Sequence, residues 1–157
     1  LSGYNAKFTT INSNIYDSKV ARQCIDRIAT HCAKLIPKHI QDSIGNNIKG
    51  EINFMLQEQP NPIMSRFDFI YKLISQLYSD CNAFVYIAKD NKGFITGFYP
   101  VLAERYELLQ DKTGNIYLQF KFVNGQTYIV PYLELIHLRL FYNKSVGGWS
   151  IFGADYL

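Results

Sequence analysis

The sequence predicts an α+β fold, with N-terminal helices packed on an antiparallel β-meander, and three observations lead there. The first half carries two apolar stripes of helical period, along residues 20–35 and 69–78. From Ala83 the pattern changes to apolar–polar alternation broken by tight-turn signals at Asp90-Asn91-Lys92-Gly93, Asp111-Lys112-Thr113-Gly114 and Asn124-Gly125. No helix recurs between the strands, so a doubly wound parallel sheet is disfavoured.

Residues 1–16 are polar and asparagine-rich without a clear period and read as a flexible arm. Residues 17–157 then read as one domain, since 157 residues suffice for a single hydrophobic core. Asp17 or Ser18 can cap a helix running to about Ile36. Its expected buried stripe is Val20, Cys24, Ile28, Cys32 and Leu35 with Ala21, Ile25 and Ala29 beside it, and Pro37 ends it. A short strand and turn are expected over 38–51, and one helical turn or a connector over Ile52–Leu56. Pro60-Asn61-Pro62 is a rigid breaker. Ser65 followed by Asp68 has capping-box spacing for a helix that buries Phe69, Ile70, Leu73, Ile74, Leu77 and Tyr78, with Arg66, Lys72 and Gln76 opposite. The strands expected next are Ala83–Lys89, Phe94–Tyr99 closed by Pro100, Tyr106–Gln110, Ile116–Phe122, Thr127–Val130 and Ile136–Leu140. Residues 147–157 read as a glycine-hinged loop approaching another element.

The balance of 16 Lys and Arg against 13 Asp and Glu is too mild, and too scattered, for a nucleic-acid footprint. The 12 Tyr and 11 Phe suit a sheet whose second face meets a partner, or simply a tyrosine-rich sheet facing solvent. Three unpaired cysteines, Cys24, Cys32 and Cys81, argue against a disulfide framework. No apolar run has membrane-spanning length.

The chemistry-bearing residues assemble no expected active centre, so no enzyme, cofactor or metal is predicted. Cys24 and Cys32 lie about 12 Å apart along one helix, too far to share a tetrahedral zinc, and His31 points off their face. Cys81 with His137 is the one nucleophile–base pairing to weigh, but a thiol at a helix C-terminus is held protonated. No Gly-x-Ser-x-Gly elbow or phosphate-cradling glycine loop occurs.

Short motifs in a fixed order are more specific. Residues 20–29, with Cys24, Ile28 and Ala29, resemble the early helix of tailed-bacteriophage portal proteins of the HK97 type. Pro60, Asn61 and Pro62, followed by Asp68 and Phe69, resemble that family's Pro-Asn-Pro capped helix. Cys81-Asn82-Ala83-Phe84 is similar to its Gly-Asn-Ala-Tyr entry into the sheet. Tyr99-Pro100 resembles an aromatic–Pro step, Ile136-His137-Leu138-Arg139 an Ile-His-hydrophobic-Arg strand, and Gly148-Trp149-Ser150 the Gly-x-Ser before a next helix. Departures are Cys81 for Gly, Phe84 for Tyr, and Ile151 for Pro. The resemblance covers about residues 20–153.

It implies the wing part of a structural subunit, truncated before a stem helix and clip. The full protein would form a homo-oligomeric ring at one capsid vertex, through which DNA is packaged and ejected. Implied partners are capsid, terminase and tail-connector proteins. Double-stranded DNA would pass through the channel rather than contact this segment, and no membrane is involved. The implied location is the virion, assembled in the host cytoplasm. A stand-alone protein- or peptide-binding module using the Tyr-rich face is the alternative.

Overall fold

A computed structural model describes residues 2–9, 18–40 and 50–140, the side chains of 2–9 excepted. The expected features at 41–49 and 147–157, with Gly148 and Ser150, lie outside these residues. The described elements are β1 (Ser2–Thr9), α1 (Lys19–Cys32), α2 (Glu51–Gln57), α3 (Arg66–Asp80), β2 (Asn82–Lys89), β3 (Ile95–Val101), β4 (Arg105–Gln110), β5 (Ile116–Lys121), β6 (Thr127–Pro131) and β7 (Leu135–Arg139), with a 3-10 turn at Tyr132–Glu134. The α+β class holds.

Both long helices begin where their caps predict. Ser18 Oγ accepts from Ala21 N at 3.4 Å, and Ser65 Oγ accepts from Asp68 N at 3.2 Å while its hydroxyl donates to Asp68 Oδ2 at 2.6 Å. α1 stops at Cys32 rather than Ile36. The amides of Lys34 and Leu35 bond three residues back, to His31 O and Cys32 O, so the last turn tightens before Pro37 can act. Only one flank of the expected stripe is buried. Ile25 and Ala29 are buried as expected, with Ala33, whereas Cys24 is exposed and Val20 and Leu35 are 69% and 64% exposed. The contact face is thus centred on the Ile25–Ala29 flank, turned away from Val20 and Cys24. Ala29 and Ala33 have no accessible surface, and Tyr71 of α3 donates its hydroxyl to Asp26 of α1 at 2.8 Å. Small residues let α1 lie close along α3, and that proximity outweighs the larger side chains one position over.

A second correction falls on α3. Phe69 and Leu73 are buried as expected, but so is Gln76, because its Nε2 donates to Val101 O on β3 at 2.9 Å. A glutamine can enter the interior when it satisfies a strand carbonyl there.

The expected meander is two sheets. One has the order β1-β4-β5-β6 and the other β3-β2-β7, all pairs antiparallel. The chain leaves the first hairpin after Val101 to start a new sheet at β4. After β6, the turn at Tyr132–Glu134 carries it back, so β7 pairs with β2. Within the N-terminal arm, Ser2–Thr9 are extended and form an edge strand on β4. A backbone ladder needs no apolar run, so polar composition concealed it.

β2 is the centre of the molecule. Ala83 and Val85 face the helices with Phe69, Leu73 and Phe98, while Phe84 faces the other sheet with Tyr106, Leu108, Leu118, Phe120 and Leu135. Residues 82–85 are all buried because the strand has protein on both faces. The rings of Tyr106, Phe120 and His137 lie 4.8, 5.4 and 4.3 Å from that of Phe84.

Candidate functional site

The sequence motifs gather at two places around β2 and β3. The first is the Pro-Asn-Pro segment. Its capping role belongs to Ser65, and Pro60 and Asn61 do something else. Phe98 N donates to Pro60 O at 2.8 Å, and Asn61 Nδ2 donates to Phe98 O at 2.8 Å. Asn61 Oδ1 accepts from Ile63 N at 3.1 Å, so this 3%-exposed amide is satisfied on both sides. The segment therefore covers the outer edge of β3 like a short extra strand.

Gly97 permits the approach. A Cβ there would stand 3.0 Å from a Tyr99 ring carbon and 3.2 Å from Pro60 O. Pro100 does not close the strand as expected. It lies inside β3 opposite Val85, and an edge strand tolerates its missing N–H. Asn61→Ala, which strands the Phe98 carbonyl, is expected to cost about 1–3 kcal/mol in urea unfolding.

The second place is the α3–β2 junction. Cys81 takes a left-handed conformation, φ 58°, where the resembled family has glycine, and this reverses the chain from helix to strand. Asn82, 1% exposed, donates from Nδ2 to Asp80 O at 3.2 Å. Its Oδ1 therefore accepts from His137 Nε2–H at 2.9 Å, which leaves His137 Nδ1 to accept the Tyr132 hydroxyl at 3.0 Å. Asn82 and His137, far apart in sequence, thus form one polar chain across β2 and β7.

Charge in this junction is suppressed. Burial, with Arg139 adding, pushes the His137 imidazole down to about 3. Burial pushes the Asp80 carboxyl up to about 6 against a weaker opposing hydrogen bond from Ser79, and Asp80 Oδ1 is buried without a hydrogen-bond partner. Burial first, then the Asp80 charge, raises the Cys81 thiol. The Tyr106 hydroxyl rises for the same reasons.

His137, with its two ring nitrogens committed to Asn82 and Tyr132, ties β2, β7 and the turn before β7 together. Cys24 and Cys32 are not drawn into a cluster: no group of three metal-ligating side chains occurs among the described residues. No described helix is long and apolar enough to cross a membrane.

The remaining motif residues fall at several places in the fold. Ala29 is buried against α3, Ile28 is partly buried, Phe69 and Ala83 share the helix-side core, and Arg139 pairs with Asn82 in the ladder. Asp68 is the cap partner of Ser65. By its sequence Asp80, at the end of α3, reads as a solvated acid, and Tyr106 and Tyr132 are not singled out. The only signal for the two tyrosines is alternation along β4 and the turn before β7, and neither reveals which buried polar atoms meet.

A groove of about 470 Å³ opens between the two sheets, lined by Tyr86, Tyr99, Val101, Leu102, Tyr128 and Val130 among others. Three of the chain's 12 tyrosines, Tyr86, Tyr99 and Tyr128, line it.

Solved structures share the fold. The neck of an empty gene transfer agent (GTA) particle, computed with C6 symmetry, matches with a TM-score of 0.69 at 15% identity, over 87% of this chain and 37% of that one. The neck of a native GTA particle, computed with C12 symmetry, matches at 0.64 and 14%, over 85% and 35%. The virion of a native GTA particle matches at 0.68 and 14%, over 90% and 37%. The chain thus spans little more than a third of the matched chains' length. Comparison with curated proteins finds no match.

The chain is thus an α+β domain in which helices pack on one of two antiparallel sheets. The chain belongs to the phage portal protein family, whose sequence profile matches residues 19–154.

Proposed function

We propose that the full-length protein is the subunit of a portal ring at a capsid vertex, through which DNA is packaged and ejected and to which terminase and tail components attach. The observation that carries this is the family match over nearly the whole described domain, supported by a fold shared with symmetric particle necks. In this reading residues 17–157 are the wing, and a stem helix and clip belong to the rest of the subunit. The motif residues serve assembly by fixing shape. Asn61 closes the β3 edge, Asn82 and His137 tie β2 to β7, and Ala29 seats α1 on α3.

A ring demands contacts between two different patches of each copy, repeated until they close. Its working place is the virion. Negative-stain electron microscopy of the full-length protein is expected to show closed rings, and a stably monomeric full-length protein would overturn the proposal.

A further inference from the structure

The edges of the sheets are treated unequally. The β3 edge is closed by Pro60 and Asn61 and then by Pro100, which has no N–H to offer. The β6 edge is open. Lys121 O accepts from Glu104 N, so the odd positions of β5 bond toward β4 and the even positions toward β6. Phe122 N donating to Gln126 O fixes the same parity. In β6, Tyr128 and Val130 therefore bond to β5, while the N–H and C=O of Thr127 and Ile129 point off the sheet. These outward groups have no partner among the described residues.

Beside this edge lies the apolar groove, and Tyr128 and Leu102 are 53% and 59% exposed. An open apolar edge strand carrying no charge of its own is a hazard unless the working assembly covers it. Pro131 ends this edge without an N–H, as Pro100 does in β3, so the two outward amides that β6 leaves open are those of Thr127 and Ile129.

We infer that the outer edge of β6 is a subunit contact, taken by the backbone of an edge strand of the next copy in the ring. This rests on the portal reading. The outward amide pattern of β6 selects an extended backbone as occupant rather than a helix. A second copy supplies one, because β1 ends the same sheet on its opposite side. Joining β6 of one subunit to β1 of the next continues the sheet through two different edges, the head-to-tail relation a closed ring requires.

The test uses the full-length protein. Ile129→Pro removes one outward N–H and leaves the bonds to β5 intact, since Ile129 sits opposite Gln119 at a non-bonded pair. The variant is expected to give at least tenfold less ring than wild type at equal concentration, with an unchanged circular dichroism spectrum, while Ile129→Val assembles normally. Hydrogen exchange on wild-type rings is expected to show slow amides at Thr127 and Ile129, and this readout decides the matter if the proline variant misfolds. Wild-type ring yield from Ile129→Pro, or fast exchange at Thr127 and Ile129 in the assembled ring, overturns the inference alone. A wild-type protein that forms no ring overturns the portal reading and the inference with it.

Discussion

Lowering the pH from about 7 to about 5 is expected to remove about 2 kcal/mol of folding stability through His137 alone. The imidazole is held near 3 in the folded chain and titrates near 6.5 when unfolded. Its folded value is depressed, so the unfolded state binds the proton first, and stability falls as pH drops through 6.5 toward 3. The cause is burial of the imidazole, whose ring stacks on Phe84, with the Arg139 charge adding.

Asp80 acts in the opposite sense. Its folded value is raised to about 6 from 3.8, so ionisation penalises the fold as pH rises through that interval and acidification relieves the penalty. Because Asp80 is partly solvated, screening limits this to less than about 1 kcal/mol. Urea unfolding at the two pH values separates the terms. His137→Gln is expected to lose most of the acid sensitivity, and Asp80→Asn to show a larger acid loss than wild type. Equal pH slopes in all three proteins would refute the assignment.

Phe84→Ala is expected to destabilise the chain by about 3–5 kcal/mol, read as a lower midpoint in urea unfolding. Phe84 is 1% exposed and is the aromatic that β2 inserts between the sheets, in contact with Tyr106, Phe120 and His137. Truncation leaves a cavity where three rings converge and removes the platform on which His137 stacks. Since a domain's whole stability is about 5–15 kcal/mol, this one change takes a large share. Phe84→Tyr, the residue of the resembled family at this position, keeps the ring but buries a hydroxyl. It is expected to cost less than alanine.

Local physics was legible in the sequence, and long-range pairing was not. Ser18 and Ser65 cap as their spacing implies, and the turns at Gly93, Gly114 and Gly125 carry the positive φ that hairpins need. Asp111 anchors its turn by accepting from Thr113 and Asn115, bonds that hold its carboxyl well below the usual range.

What failed required knowing a neighbour. On α1 the burial of Ile25 and Ala29 is legible but the exposure of Val20 and Cys24 is not, because closeness to α3 rather than hydrophobicity centres the contact on Ala29 and Ala33. Gln76 was placed in water because its partner, Val101 O, lies on another element. The division into two sheets depends on β7 returning to β2, and no residue in 131–139 announces that pairing. The motif order did register Asn82 and His137, but not that they touch, nor that Asn61 serves β3 rather than a helix end.

The central claim is that this domain belongs to a ring-forming portal subunit. The most direct measurement is the solution mass of the full-length protein by light scattering. A mass that is a fixed, large integer multiple of one subunit, unchanged on dilution, is the predicted result, and a monomer mass at every concentration would contradict it.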